Sequence, residues 1–111
     1  MRRTLLAWLV ILALFAVSYQ ATYGAQSSYE AAIVDACARH GCDAGYMIAL
    51  IDCETGGTWD PNSVGPHGER GLLQFHPYGE WPYAAWYGPL EQIELAAQLL
   101  AAGRADAWVC P

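Results

Sequence analysis

Four cysteines constrain this chain more than any other feature. Cys37, Cys42, Cys53 and Cys110 all lie downstream of a segment built like an export signal. Met1–Arg3 carries two arginines, Leu5–Val17 is an unbroken apolar run of 13 residues, and small and polar residues follow to Ala25. Such a run falls short of the roughly 20 residues a membrane-spanning helix needs. Residues 1–25 are therefore expected to be a signal peptide, cut after Gly24 or Ala25, with no stable membrane insertion afterwards. An even cysteine count in a short exported chain reads as a disulfide framework, here of two bridges. Four cysteines allow three pairings, and the spacing does not choose among them.

Cutting after Ala25 leaves 86 of the 111 residues as one domain, residues 26–111. A domain of this size sits near the limit at which one apolar core suffices, which is where covalent staples are common. Zinc is the rival use of the cysteines, because His40, His67 and His76 are also present. No pair shows a Cys-x-x-Cys or His-x-x-x-His spacing, so neither a metal nor any other cofactor is expected. The net charge of −6 becomes −8 once Arg2 and Arg3 are removed. Without a basic cluster to neutralise phosphates, nucleic-acid binding is excluded as a function class.

Helical signals dominate the remainder. Ser27 and Glu30 have the spacing of a capping box, followed by Ala32, Ile33, Ala36 and Cys37 at helical intervals and by Gly41 as a stop, which predicts a helix over 28–40. Asp43 suits the N-cap of a second helix over 44–54, ended by Gly56 and Gly57. Thr58–Gly68, with two prolines and two glycines, reads as a structured loop. Arg70–Phe75 is a short, mostly apolar stretch bounded by Pro77. An aromatic-rich run from Tyr78 to Tyr87 shows no clean period. Pro89 opens a last helix over 89–102, with Leu90, Ile93, Ala97 and Leu100 on one face and Gly103 as its end. The fold class is mostly α: a small helical domain, expected to act as a monomer.

Glu54 breaks the pattern. Met47, Leu50, Ile51 and Glu54 occupy i, i+3, i+4 and i+7 of one helical face, three of them apolar and the fourth a carboxylic acid. Partial desolvation at the edge of an apolar face raises a carboxyl pKa, and the negative end of the helix dipole acts the same way. No Lys exists and no Arg is near in sequence. Together these favour a proton held toward neutral pH, as a general acid requires. The position also suits an ordinary solvated residue in a last helical turn, and periodicity alone leaves both readings open.

From Cys53 the chain reads C-E-T-G-G-T-W-D-P-N-S-V-G-P-H-G-E-R-G-L-L-Q-F. Glu54-Thr55-Gly56, Asp60-Pro61-Asn62 and Gly71-Leu72-Leu73-Gln74 together resemble the lytic transglycosylases of the lysozyme-like superfamily, which also holds the goose-type lysozymes. The resemblance covers about residues 29–108. It implies a small lysozyme-like helical fold and an exported, peptidoglycan-cleaving enzyme in the cell envelope, with glycan strands as partner. Glu54 would be the catalytic acid and then base. Thr55 stands where the family has Ser. Gln74 and the backbone of Leu72–Leu73 would line the sugar cleft, with Leu73 in place of the usual Met. Phe75, Trp59 and the aromatic run Tyr78–Tyr87, whose rings could stack on sugars, are further candidates for substrate contact, against the alternative of packing. The resemblance also favours the pairings Cys53–Cys110 and Cys37–Cys42.

In this family a single Glu protonates the oxygen between N-acetylmuramic acid and N-acetylglucosamine. It then takes the proton of the muramic C6 hydroxyl, closing a 1,6-anhydro ring; a lysozyme delivers water instead. Asp60 and Glu69 are the nearby carboxylates that could position such a water, against readings as a turn former and as a partner of Arg70. Larger members continue with Ala-Tyr-Asn-x-Gly after the last helix. Here Trp108-Val109-Cys110 matches the ending of the shorter relatives, which implies a shallower groove. The alternatives are a hydrolytic lysozyme and a non-catalytic wall-binding domain that kept the fold.

Overall fold

A computed structural model of the protein describes residues 25–110. Residues 1–24 of the expected signal segment therefore lie outside the described residues, while Ala25 and Gln26, on either side of the later of the two expected cuts, are the first residues of the first helix. The architecture is mostly helical. Residues 25–40 are helical (α1), Ala44–Glu54 forms α2, and Pro89–Ala101 forms α3. Short 3₁₀ turns occupy Pro82–Trp86 and Ala105–Ala107. Among the described residues the only strand-like pairing consists of isolated antiparallel bridges, Val64 to Arg70 and Arg70 to Phe75.

Both cysteine pairs expected from the resemblance are present: Cys37 bonds Cys42, and Cys53 bonds Cys110. The first clips the end of α1 to the turn before α2. The second joins α2 to the C-terminal segment across 57 positions of sequence. Such bridges suit an oxidising, extracytoplasmic compartment. Among the described residues no helix is long and apolar enough to cross a membrane.

Helix α2 follows its sequence closely. Asp43 is its N-cap, and the Asp43 carboxylate accepts from the Tyr46 amide at 3.1 Å. Met47, Leu50 and Ile51 are fully buried and form the centre of the core with Ile33, Leu72, Leu73, Ile93, Ala96 and Ala97. Helix α1 differs from expectation at its start. It already runs through Ala25–Ser28, so Ser27 lies inside the helix instead of capping it. Glu30 instead accepts from the Gln26 side chain at 3.3 Å, one turn back.

Helix α3 buries Ile93 and Ala97 as expected, but its buried face is turned toward Gln92 and Ala96 and away from Leu90. Gln92, Ile93, Ala96 and Ala97 point inward, Leu100 is half-buried and Leu90 is exposed. The buried Gln92 explains the rotation. Its Oε1 accepts from the Leu73 amide at 3.1 Å, while Nε2 donates to the carbonyls of Arg70 (3.0 Å) and Ala84 (2.8 Å). One side chain thus holds the bridge loop and the 3₁₀ turn against α3. Gly71 makes room for it: its φ is +85°, and a Cβ there would fall onto the Gln92 amide.

Candidate functional site

Three pieces of chain converge where α2 ends, and their meeting opens a cleft of about 560 Å³. Its floor is Glu54, Thr55 and Gly56. The bridge loop supplies one side with Ser63–Pro66, Glu69, Gln74 and His76. Ala107, Trp108 and Val109 supply the other. The Cys53–Cys110 bridge ties that second side to the residue before Glu54. Trp108 is locked in place, its indole N–H donating to the Leu73 carbonyl at 2.8 Å and its ring set edge-on to Phe75.

Glu54 is half-buried at the cleft floor. Desolvation raises its pKa, a backbone hydrogen bond from Cys110 opposes that rise, and the charge of Glu69 adds to it. Glu69 moves the other way. Burial pushes it up, but hydrogen bonds from the backbone amides of His67 and of Glu69 itself, with the His67 and His76 rings nearby, leave it below the ordinary carboxylate value. The His67 amide donates to Glu69 Oε2 at 3.0 Å. The cleft therefore holds two carboxyl groups with oppositely displaced affinities for a proton, the arrangement that separates an acid from a base. Gly65 permits it: a Cβ there would lie 2.7 Å from Gln74 Oε1 and still nearer to Glu69 Oε2.

The remaining expected site residues divide between cleft and core. Gln74 lines the cleft with φ at +48°. Its Nε2 donates to the carbonyls of Gly71 (2.8 Å) and Ser63 (3.0 Å), and its Oε1 has no partner among the described residues. Thr55 borders the cleft but is buried, and its hydroxyl is used internally. That hydroxyl donates to the Ile51 carbonyl at 2.8 Å and accepts from the Trp59 amide at 3.1 Å. Leu72 and Leu73 are fully buried, and both polar backbone atoms of Leu73 are spent on Gln92 and Trp108. They support the cleft from behind and offer it no backbone donor at Leu73.

Phe75 is buried against Trp108, outside the cleft, with its edge on a smaller hollow beside it. Trp59 is a lid on the core: it is buried, takes φ of +53°, and donates from its indole to Asp52 at 3.1 Å. Tyr78 is exposed, beside His76, and lies outside the cleft. Asp60 accepts from the Asn62 amide at 2.9 Å, as a turn former does. Glu69 does not pair with Arg70, whose guanidinium stacks on Trp86 instead.

Sequence reasoning treated His76 only as a possible metal ligand and gave Glu69 no settled place. His76 lines both the cleft and a smaller hollow of about 280 Å³ continuing from it past Gln74 and Trp108 to Trp81 and Arg104. Its Nδ1 accepts from the Tyr78 amide at 3.0 Å, which leaves Nε2 to carry the proton of the neutral ring. Among the described residues no three side chains of His, Cys, Asp or Glu converge to hold a metal ion. No family model matches this chain, and no curated protein or solved structure matches it either.

Proposed function

We propose that this protein is an exported enzyme that cleaves the β-1,4 bond between N-acetylmuramic acid and N-acetylglucosamine in peptidoglycan, with Glu54 as its acid. The observation that carries the reading is the place of Glu54, half-buried in a cleft that Glu69 also lines, where desolvation favours its protonated form. The resemblance of Glu54-Thr55-Gly56 and Gly71-Leu72-Leu73-Gln74 to lytic transglycosylases supplies the substrate class.

In this reading Glu54 gives its proton to the glycosidic oxygen as the bond to the muramic C1 breaks. The leaving sugar departs with a new hydroxyl, and positive charge develops at C1. The Glu54 carboxylate then removes the proton of the muramic C6 hydroxyl, whose oxygen bonds to C1 and closes the anhydro ring. In the same reading Gln74 Oε1 accepts from a sugar hydroxyl or N-acetyl N–H, a role supported by its place in the cleft lining. Glu69 favours a second reading, hydrolysis. An ionised carboxylate near the acid can stabilise charge at C1 or take a proton from an attacking water.

Product analysis separates these readings. The full-length chain and its Glu54→Gln variant are incubated with purified peptidoglycan, and the released fragments are weighed. Anhydro-muramyl products from the parent alone support the transglycosylase, and reducing-end products support a lysozyme. Binding without any fragments, from a folded parent, overturns both in favour of a non-catalytic wall-binding domain.

A further inference from the structure

Three arginines fall among the described residues, and two are fully committed to acids. Arg39 bonds Asp35 and Glu94, and Arg104 bonds Glu80 and Asp106. Arg70 has no carboxylate partner among the described residues, although the chain carries 11 acids against 5 arginines. Its guanidinium carbon lies 4.3 Å from the centre of the Trp86 ring. Stacking uses the face of a guanidinium and leaves its N–H donors open at the edge.

The aromatic half is equally prepared. Tyr83 and Trp86 are three apart on a 3₁₀ turn, a spacing that places side chains one above the other. Both are 67% exposed, while Ala84 and Ala85 between them are buried and hold the turn to the core. Gln92 Nε2 bonds the carbonyl of Arg70 and that of Ala84, so one buried amide fixes both halves of the patch. The Arg70 backbone is further paired in both directions with Phe75. Neither Arg70, Tyr83 nor Trp86 lines the cleft or the hollow beside it.

We propose that Arg70, Trp86 and Tyr83 form a second site, separate from the cleft, that binds a carboxylate-bearing sugar of a glycan strand. The open edge of the guanidinium takes the carboxylate in a forked hydrogen bond, and the exposed rings take the C–H face of the sugar. A neutral sugar would leave the guanidinium unanswered, and a bare small anion would make no use of the rings. An anionic membrane fits less well, because a single open arginine among the described residues, on a chain of net charge −6, gives little attraction to such a surface. The inference rests on the glycan reading above, with the second site holding a strand while Glu54 acts on it.

The test uses the full-length Glu54→Gln chain, so that binding is read without cleavage. Calorimetric titration compares an N-acetylglucosamine–N-acetylmuramic acid oligosaccharide bearing its free lactyl carboxylate with the same oligosaccharide amidated. Two sites per chain are expected for the acid form. Adding Arg70→Gln should weaken one of them about tenfold and leave the amidated form unaffected, whereas Trp86→Ala should weaken both forms at that site. Trp86→Leu serves the same purpose if the alanine variant loses its thermal transition. One site in the parent, or affinities unchanged by both substitutions, would overturn the proposal. So would Arg70-dependent sedimentation with phosphatidylglycerol vesicles in place of the oligosaccharide effect. No preference for the acid form in the Glu54→Gln chain, where the chain that keeps Glu54 still cleaves, would remove this site alone. The preference present in the Glu54→Gln chain, where the chain that keeps Glu54 cleaves nothing, would remove the enzymatic reading and leave the site standing.

Discussion

A carboxyl group at the end of an apolar helical stripe is under pressure to keep its proton, and Glu54 shows how far local position carries that argument. Desolvation was foreseeable from Met47, Leu50 and Ile51 one and two turns earlier. The partner was not. Glu69 lies 15 residues downstream in a loop, and only the antiparallel pairing of Arg70 with Val64 and with Phe75 folds it back toward α2. Under the hydrolytic reading proposed above, the two shifts together predict a bell-shaped dependence of cleavage on pH. Glu54 must be protonated, so activity falls as pH rises through a value above the ordinary 4.5. If Glu69 must be ionised, activity also falls as pH drops through a value below 4.5. Glu69→Gln should therefore remove the acid limb and keep the alkaline one, moved to lower pH because the Glu69 charge no longer raises the Glu54 pKa. Initial rates of fragment release measure both limbs; an acid limb that survives excludes Glu69 from the chemistry. Gln92 was hidden for a different reason: a glutamine in an amphipathic helix reads as its polar face. Gln92→Leu leaves the Leu73 amide without a partner and removes two further hydrogen bonds, a loss of about 2–4 kcal/mol. Urea unfolding should show a midpoint lowered to match with its slope unchanged.

Between elements, polar ties add to what the core provides. Arg39 on α1 makes a two-pronged contact with Glu94 on α3, at 2.8 and 2.7 Å, and His40 reaches the same carboxylate. The Arg39 guanidinium, with His40 adding to it, holds the Glu94 carboxyl down to about 2 from the ordinary 4.5. A carboxyl lowered on folding contributes stability that is complete above about 4.5 and disappears as pH falls toward 2. Glu94→Gln should thus lower the Tm at pH 6, with the two Tm values converging near pH 2; curves that stay parallel would show that the tie adds nothing. Element by element, legibility followed how local each signal was. Helix α2 announced itself through Asp43, its apolar stripe and the Gly56–Gly57 turn. Helix α1 was misjudged at its start because Ser27 and Glu30 mimic a capping box inside a helix that already runs through Ala25–Ser28. The face of α3 was misjudged at Leu90, since Gln92 turns that face toward Leu73, Arg70 and Ala84.

Across the whole molecule, the cleft is made of segments distant in sequence, and the long disulfide is what joins them. Ala107, Trp108 and Val109 form one side of the cleft, Glu54 lies on its floor, and Cys53–Cys110 links the two over 57 positions. In the chain-entropy account a loop of that length is worth about 4 kcal/mol, against about 2 kcal/mol for the five-position loop of Cys37–Cys42. For a domain of this size each kcal/mol moves the Tm by roughly 4–8 °C, so losing the long bridge should be the larger injury. It should also reach the site. The hydrogen bond from the Cys110 backbone is what opposes the rise in the Glu54 pKa, and freeing Cys110 would weaken it. The Cys53→Ser, Cys110→Ser double variant is thus expected to lose more than 15 °C in Tm. At a temperature where it stays folded, its alkaline activity limb should move to higher pH, because Glu54 then holds its proton more tightly. The Cys37→Ser, Cys42→Ser variant should lose less Tm and leave that limb in place, since its bridge touches neither Glu54 nor the cleft. Trp108 is held independently by its bond to the Leu73 carbonyl, so the cleft wall keeps one anchor when the bridge is cut. Two variants with equal losses and superimposable pH profiles would show that the long bridge stabilises the chain without shaping the site.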